Sequence, residues 1–151
     1  MTEREEYMRQ ALALAREAAR EDEIPVGALV VGPDGAIIGR GRNRRESACS
    51  ATRHAELEAI EQAGAALGSW RLDGCALYVT LEPCPMCAGA VINARIPTLV
   101  YGAKEPVSGS CGSILDLFSE DYGFHPAVYG GVLAEECAAV LQDFFRRLRG
   151  G

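Results

Sequence analysis

The stretch Leu81-Glu82-Pro83-Cys84-Pro85-Met86-Cys87-Ala88-Gly89-Ala90 constrains the fold of this chain more than any other. The apolar run from Ala76 to Leu81 has strand character, and the residues after Cys84 have helix character, with Pro85 suited to a first helical position. The two cysteines therefore fall where a strand gives way to a helix, at i,i+3 positions that share one helical face. Thiols at that spacing in an aliphatic chain point to a metal, whose other ligands must come from elsewhere.

Composition narrows the search. A chain of 151 residues, 48% apolar and 24% charged, is expected to form one globular domain spanning 1–151. Its first residues are polar and charged, and no apolar run reaches membrane-spanning length, so a cytoplasmic protein without a membrane partner is expected. In a reducing compartment the six cysteines read as thiols or ligands rather than as a disulfide framework. Cys49, Cys75, Cys111 and Cys137 stand far apart and read as small buried hydrophobes. The net charge of −6 does not suggest a nucleic-acid binder, but its distribution is uneven. Arg40, Arg42, Arg44, Arg45 and Arg53 share one short segment with a single acidic residue, Glu46, and Arg146, Arg147 and Arg149 lie near the C-terminus. Lys104 is the only lysine, so positive charge comes almost wholly as guanidinium, which forks onto phosphate or stacks on a base. A solvated basic loop is the other reading of the same segment.

Along the chain, Tyr7, Met8, Ala11, Leu12, Leu14, Ala15, Ala18 and Ala19 fall close to a helical period and predict a first helix over 3–20. Val26 to Val31 reads as a buried strand, Pro33-Asp34-Gly35 as a turn, and Ala36 to Gly39 as the returning strand. The aperiodic, basic segment 40–53 reads as a loop. A second helix is expected from His54 to Gly68, with Ser50 or Thr52 to cap it. Strands follow at Cys75 to Leu81 and Pro97 to Tyr101, with a helix from Pro85 to Ala94 between them. Ser108 to Ser113 reads as a flexible loop, Ala127 to Tyr129 as a brief strand, and Ala134 to Leu148 as a closing amphipathic helix. Strands alternating with helices in this way predict a three-layer α/β/α sandwich.

Only His54 and His125 are available as imidazole ligands. His54 opens one helix as Cys84 and Cys87 open another, and the positive end of a helix dipole favours thiolate over thiol. Three protein ligands leave a fourth position for water, as catalytic zinc sites do, and zinc brings the pKa of such a water to about 7. Glu56, two residues after His54, is placed to accept a proton without ligating the metal. The arrangement His-x-Glu…Pro-Cys-x-x-Cys is that of zinc nucleobase deaminases. The alternative is a structural zinc knuckle with Cys49 or Cys111 as fourth ligand, which leaves Glu56 without a role. His125 has no partner motif and reads as a surface or loop-anchoring residue.

With these motifs the chain resembles the bacterial tRNA-specific adenosine deaminase family of the cytidine deaminase superfamily. The resemblance covers about residues 7–149. It rests on Ile24-Pro25-Val26-Gly27-Ala28, His54-Ala55-Glu56, Gly68-Ser69-Trp70-Arg71-Leu72, Leu77 to Cys84, Cys87-Ala88-Gly89, Gly131 to Cys137 and Asp143-Phe144-Phe145. It implies a mixed five-stranded sheet flanked by helices, and a homodimer whose two subunits shape an RNA groove. It also implies one zinc ion per subunit and conversion of adenosine to inosine at the wobble position of a tRNA anticodon loop. By motif position His54, Cys84 and Cys87 would hold the zinc and Glu56 would shuttle the proton. Asn43 would read the base edge or cap its own loop, and Ile24, Pro25, Val26 and Leu81 would supply apolar wall. The chain departs from the family at Ser50-Ala51-Thr52-Arg53, where Asp-Pro-Thr-Ala or Asp-Ala-Thr-Ala is usual, so Arg53 puts a cation beside the zinc ligand, able to hold a phosphate or to reshape access. It departs again at Gly123-Phe124-His125-Pro126, which replaces an Asn-His pair. Two other activities fit the metal motif: deamination of a free base or nucleoside (guanine, cytosine or cytidine), and a non-catalytic, zinc-stabilised RNA-binding subunit.

Overall fold

In a computed structural model that describes residues 1–150, five strands form one sheet between two pairs of helices. The elements run α1 (Glu3–Arg20), β1 (Gly27–Val31), β2 (Ile37–Arg42), α2 (Ala55–Leu67), β3 (Ala76–Leu81), α3 (Pro85–Ala94), β4 (Thr98–Ala103), β5 (Ala127–Tyr129) and α4 (Ala134–Arg149), with a 3-10 turn at Leu117–Ser119. Strand order is β2-β1-β3-β4-β5. β1 pairs antiparallel with both β2 and β3, while β3, β4 and β5 are parallel. The expected mixed five-stranded sandwich is the one observed.

Alternation along the strands builds two cores. Ala28, Val30, Leu77, Val79 and Leu99 face α2 and α3, while Leu29, Val31, Tyr78 and Val100 face α1 and α4. β1 is buried along its whole length, as a strand covered on both faces must be. Direction matters for function. Because β2 and β3 are each antiparallel to β1, they run the same way and end at one edge of the sheet, where β1 begins. The segments around Ile24, Asn43 and Leu81 are thereby brought to that one edge.

The helices lie unusually close to the sheet, and small residues allow it. A Cβ at Gly41 would sit 2.1 Å from the Ala55 carbonyl oxygen, one at Gly39 2.1 Å from that of Ala59, and one at Gly27 2.0 Å from that of Ala11. The facing side of α2 is correspondingly alanine: Ala55, Ala59 and Ala63 are fully buried. This contact fixes the depth and angle at which α2 delivers its N-terminus.

Four local expectations change, the first at Cys49, which is exposed in the 44–53 loop rather than buried. β2 extends to Arg42, so the first three residues of the basic segment are strand, and pairing with β1 as far as Gly27 opposite Arg42 carries it there. The N-cap of α2 is His54 itself, with extended backbone and no side-chain cap, and Ser50 and Thr52 bond to one another at 3.1 Å. The Ser108–Ser113 loop is held down rather than free, its amides at Cys111 and Ser113 donating to the buried Glu82 carboxylate. On α4, Phe144 is buried but Phe145 and Leu148 are exposed. His125 anchors a loop, its Nδ1 2.6 Å from the Phe118 carbonyl oxygen.

A second buried carboxylate, Glu23 (1% exposed), accepts the amides of Glu46 at 2.9 Å and Ser47 at 2.6 Å. It fastens the 44–53 loop to the end of α1. Arg42 is neutralised by Glu21 (2.8 Å) and Glu17 (3.2 Å), and Arg44 by Glu58 (2.7 Å).

Two stability effects follow. Gly41→Ala should lower unfolding stability by about 3 kcal/mol in denaturant titration, since backbone atoms must move to admit the methyl group. Burial alone would push the Glu23 carboxyl up, but the Glu46 and Ser47 donors outweigh it and hold it below its ordinary range. With a folded pKa below the unfolded one, its contribution is complete above about pH 4.3 and disappears as pH falls through the folded value. Glu23→Gln should therefore cost about 1–2 kcal/mol at pH 7 and lose less stability than the parent on acidification.

Candidate active site

The three predicted ligands converge. His54 Nδ1 lies 3.6 Å from Cys84 Sγ and 3.5 Å from Cys87 Sγ, and the three donor atoms all fall within 4.8 Å of one another. Each comes from a helix start: His54 caps α2, Cys84 caps α3, and Pro85 occupies the first turn of α3 so that Cys87 follows on the same face. Neither cap residue spends its side chain on the helix amides, which leaves the imidazole and the thiol free for other partners.

This donor set fits zinc. Tetrahedral zinc with Zn–S near 2.3 Å and Zn–N near 2.0–2.1 Å separates sulfur from nitrogen by about 3.5 Å, the spacing the site already has. Neither Cys49 nor Cys111 joins the cluster among the described residues, so a four-ligand knuckle has no fourth donor here. Electrostatics point the same way. Hydrogen bonding from Cys87 and then from His54 outweighs burial and holds the Cys84 thiol well below the ordinary thiol range. The Cys87 thiol that donates to it, itself buried, is pushed up. His54 is raised, first by its bond to Cys84 and then by the Glu56 and Cys84 charges, against burial. A divalent cation at the centre would take the place of these shared protons.

Glu56, in the first turn of α2, is 4% exposed, and burial pushes its carboxyl up. A cavity of about 170 Å³ opens between these groups and the sheet edge. Ile24, Val26, Asn43 and Leu81 line it, as do His54, Glu56 and Cys84. Pro25 is buried but not on the wall, and Arg53 is exposed and outside the lining. The Arg53 backbone carbonyl accepts the Arg44 amide at 3.0 Å, which secures the loop without turning the side chain inward. Asn43 Nδ2 donates to the Ile24 carbonyl (3.2 Å) and Oδ1 accepts the Arg45 amide (3.1 Å), so the side chain organises its own loop. One N–H and one lone pair of the amide remain for a ligand.

Sequence reasoning missed five wall residues: Arg45, Ala55, Glu82, Glu105 and Ser108. Arg45 carries a signal, as one of the basic segment's arginines, but nothing in the sequence separates it from Arg53. Glu82 sits inside the Leu81–Cys84 motif, where its buried acid could have been suspected. Glu105 and Ser108 reach the cavity only through tertiary folding of their loop.

Comparison with known proteins places these features in context. The profile of the MafB19-like deaminase family matches residues 2–149. The chain is 47% identical over 150 residues to the tRNA-specific adenosine deaminase of Bacillus subtilis, covering 99% of this chain and 92% of that protein. It is 54% identical over 142 residues to the tRNA(Ile)-lysidine synthase of Deinococcus deserti, matching 94% of this chain but spanning only 27% of that protein's length. Among solved structures, one from a study of A-to-I editing by tRNA:A34 deaminases superposes with a TM-score of 0.86 at 45% identity, covering 90% of this chain and 99% of that one. The guanine deaminase from Nitrosomonas europaea superposes with a TM-score of 0.82 at 28% identity, over 93% and 83% of the two chains. The chain belongs to the MafB19-like deaminase family, and it is similar over nearly its full length to tRNA-specific adenosine deaminases.

Proposed function

We propose that this protein, as a single-domain enzyme, deaminates adenosine to inosine at the wobble position of a tRNA anticodon, using one zinc ion per subunit. The observation that carries the reading is the convergence of His54, Cys84 and Cys87 beside a buried glutamate in a cavity to which Ile24, Val26 and Leu81 add apolar wall. The near-full-length relationship to the Bacillus subtilis enzyme supports the choice of substrate.

His54, Cys84 and Cys87 would hold the zinc. The chemistry it supplies when bound is Lewis acidity, which brings the ionisation of water near neutral pH. Glu56 does the proton work. Its burial makes the carboxyl a stronger base than an exposed glutamate, so it can take a proton from the attacking water and pass it to the departing amine, leaving inosine and ammonia. Ile24, Val26 and Leu81 hold the faces of the base and keep bulk water away. The free N–H and lone pair of Asn43 are available to the base edge. Arg45 on the cavity wall is available to an adjacent phosphate, and Arg53 and the exposed arginines near the C-terminus can act farther out. The structure has no helix long and apolar enough to cross a membrane among its described residues. A homodimer in the cytoplasm, presenting arginines from both subunits to the anticodon loop, completes the reading. The similarity to guanine deaminase supports the rival substrate class, a free base, on the same metal chemistry.

Product analysis by mass separates the two. The enzyme should convert an anticodon stem-loop with adenosine at the wobble position and leave free adenosine, guanine and cytidine unchanged, and conversion of free bases alone would reject the tRNA reading. Binding to the stem-loop should weaken steeply between 50 and 200 mM salt, by about tenfold or more if several phosphates are contacted. Glu56→Ala should reduce turnover by about 10³-fold while the protein retains one equivalent of zinc by elemental analysis. Full ammonia release by that variant would refute the proton-shuttle role.

A further inference from the structure

Glu82 has no part in the chemistry above, yet it is the most heavily bonded carboxylate in the molecule. It is 2% exposed. Oε1 accepts the amide of Glu105 at 3.1 Å and the hydroxyl of Ser113. Oε2 accepts the amides of Cys111 at 2.9 Å and Ser113 at 3.1 Å. Four donors converge on one buried charge, and all four come from a single loop, residues 105–113.

The loop follows that charge closely. A Cβ at Gly109 would lie 2.6 Å from Glu82 Cδ and Oε2, so its backbone passes directly over the carboxylate. Ser110, fully buried, donates its amide to the Pro83 carbonyl at 2.9 Å, which fixes the loop a second time to the segment leading into Cys84. Two residues of this loop, Glu105 and Ser108, form the cavity wall that neither the sheet edge nor α2 provides. No regular element runs through 105–113, so these bonds to residues 82 and 83 determine where that wall stands.

We propose that Glu82 is a positioning residue for substrate: its buried carboxylate sets the 105–113 loop as the outer wall of the active-site cavity. The inference rests on the deaminase reading of the site. His54, Glu56, Cys84 and Cys87 sit at the starts of α2 and α3 and owe their placement to helix–sheet packing, not to this loop. Displacing the wall therefore weakens contacts made equally to substrate and transition state, which raises KM and leaves kcat in place.

Glu82→Gln tests this with a side chain of the same size. Its amide nitrogen must face N–H donors that the carboxylate oxygen accepted, so the loop loses part of its anchor. We expect KM to rise about tenfold with kcat within about twofold and zinc content unchanged. Ser113→Ala, which removes one donor and spares the charge, should raise KM by about two- to threefold. Hydrogen exchange gives a readout independent of turnover: the Cys111 and Ser113 amides should exchange faster in Glu82→Gln, while those of α3 keep their protection. Parental KM in a folded, zinc-loaded Glu82→Gln protein would overturn the proposal. So would a fall in kcat together with zinc content, which would mean that Glu82 acts through Cys84. The measurement uses whichever member of the substrate panel the parent converts, so conversion of free guanine alone would reject the tRNA reading while the KM ratio on guanine still decides the role of Glu82.

Discussion

The near-contact of helix backbone with sheet backbone at Gly39 and Gly41 governs the geometry of this molecule. With hydrogen in place of a side chain on the strand and alanine on the helix, α2 comes down until the Ala55 carbonyl nearly touches β2. His54 caps that helix and Glu56 lies in its first turn, so a packing distance sets the spacing of the proposed site. α3 follows β3, on the far side of β1 from β2, and brings the two thiols. Two helix N-termini then point their positive ends at one small volume, where a thiolate and a metal's ligands are electrostatically favoured. The core and the site thus share one set of close contacts.

Around that frame, segments without regular structure are held by buried charge. Glu23 fastens the 44–53 loop and Glu82 fastens the 105–113 loop, each by accepting backbone amides at the end of a regular element. The choice has a physical logic. A loop that lines a cavity cannot bury much apolar surface, and charge-assisted hydrogen bonds are the strong alternative. The acidic balance of the chain, which at first argues against RNA, is spent in part on these internal roles and on pairing Arg42 and Arg44.

Much of the architecture is legible in the sequence because periodicity reports burial. The short apolar runs of β1 and β3, the helical spacing of Met8, Leu12 and Ala15, and the glycine after Leu67 each encode their element locally. Boundaries are less legible where pairing extends a strand past its apolar part, as with Arg40 to Arg42 at the end of β2. The ligand trio is legible because metal chemistry admits few residue types and demands tight spacing. The two histidines make the choice of His54 a short search.

Within the sequence alone lie the three-layer fold, the donor set and the identity of the buried acid beside it, since each depends on residue type and local spacing. Tertiary structure decides which polar residues reach the cavity. Arg45 and Arg53 are equivalent in composition, yet the strand end, the Asn43 turn and the Arg44–Arg53 backbone bond put one on the wall and the other in solvent. Glu105 and Ser108 are ordinary loop residues until a carboxylate more than twenty positions earlier gathers their segment. Sequence records what each side chain can do; only the long-range hydrogen bonds and the direction of the strands record where it does it.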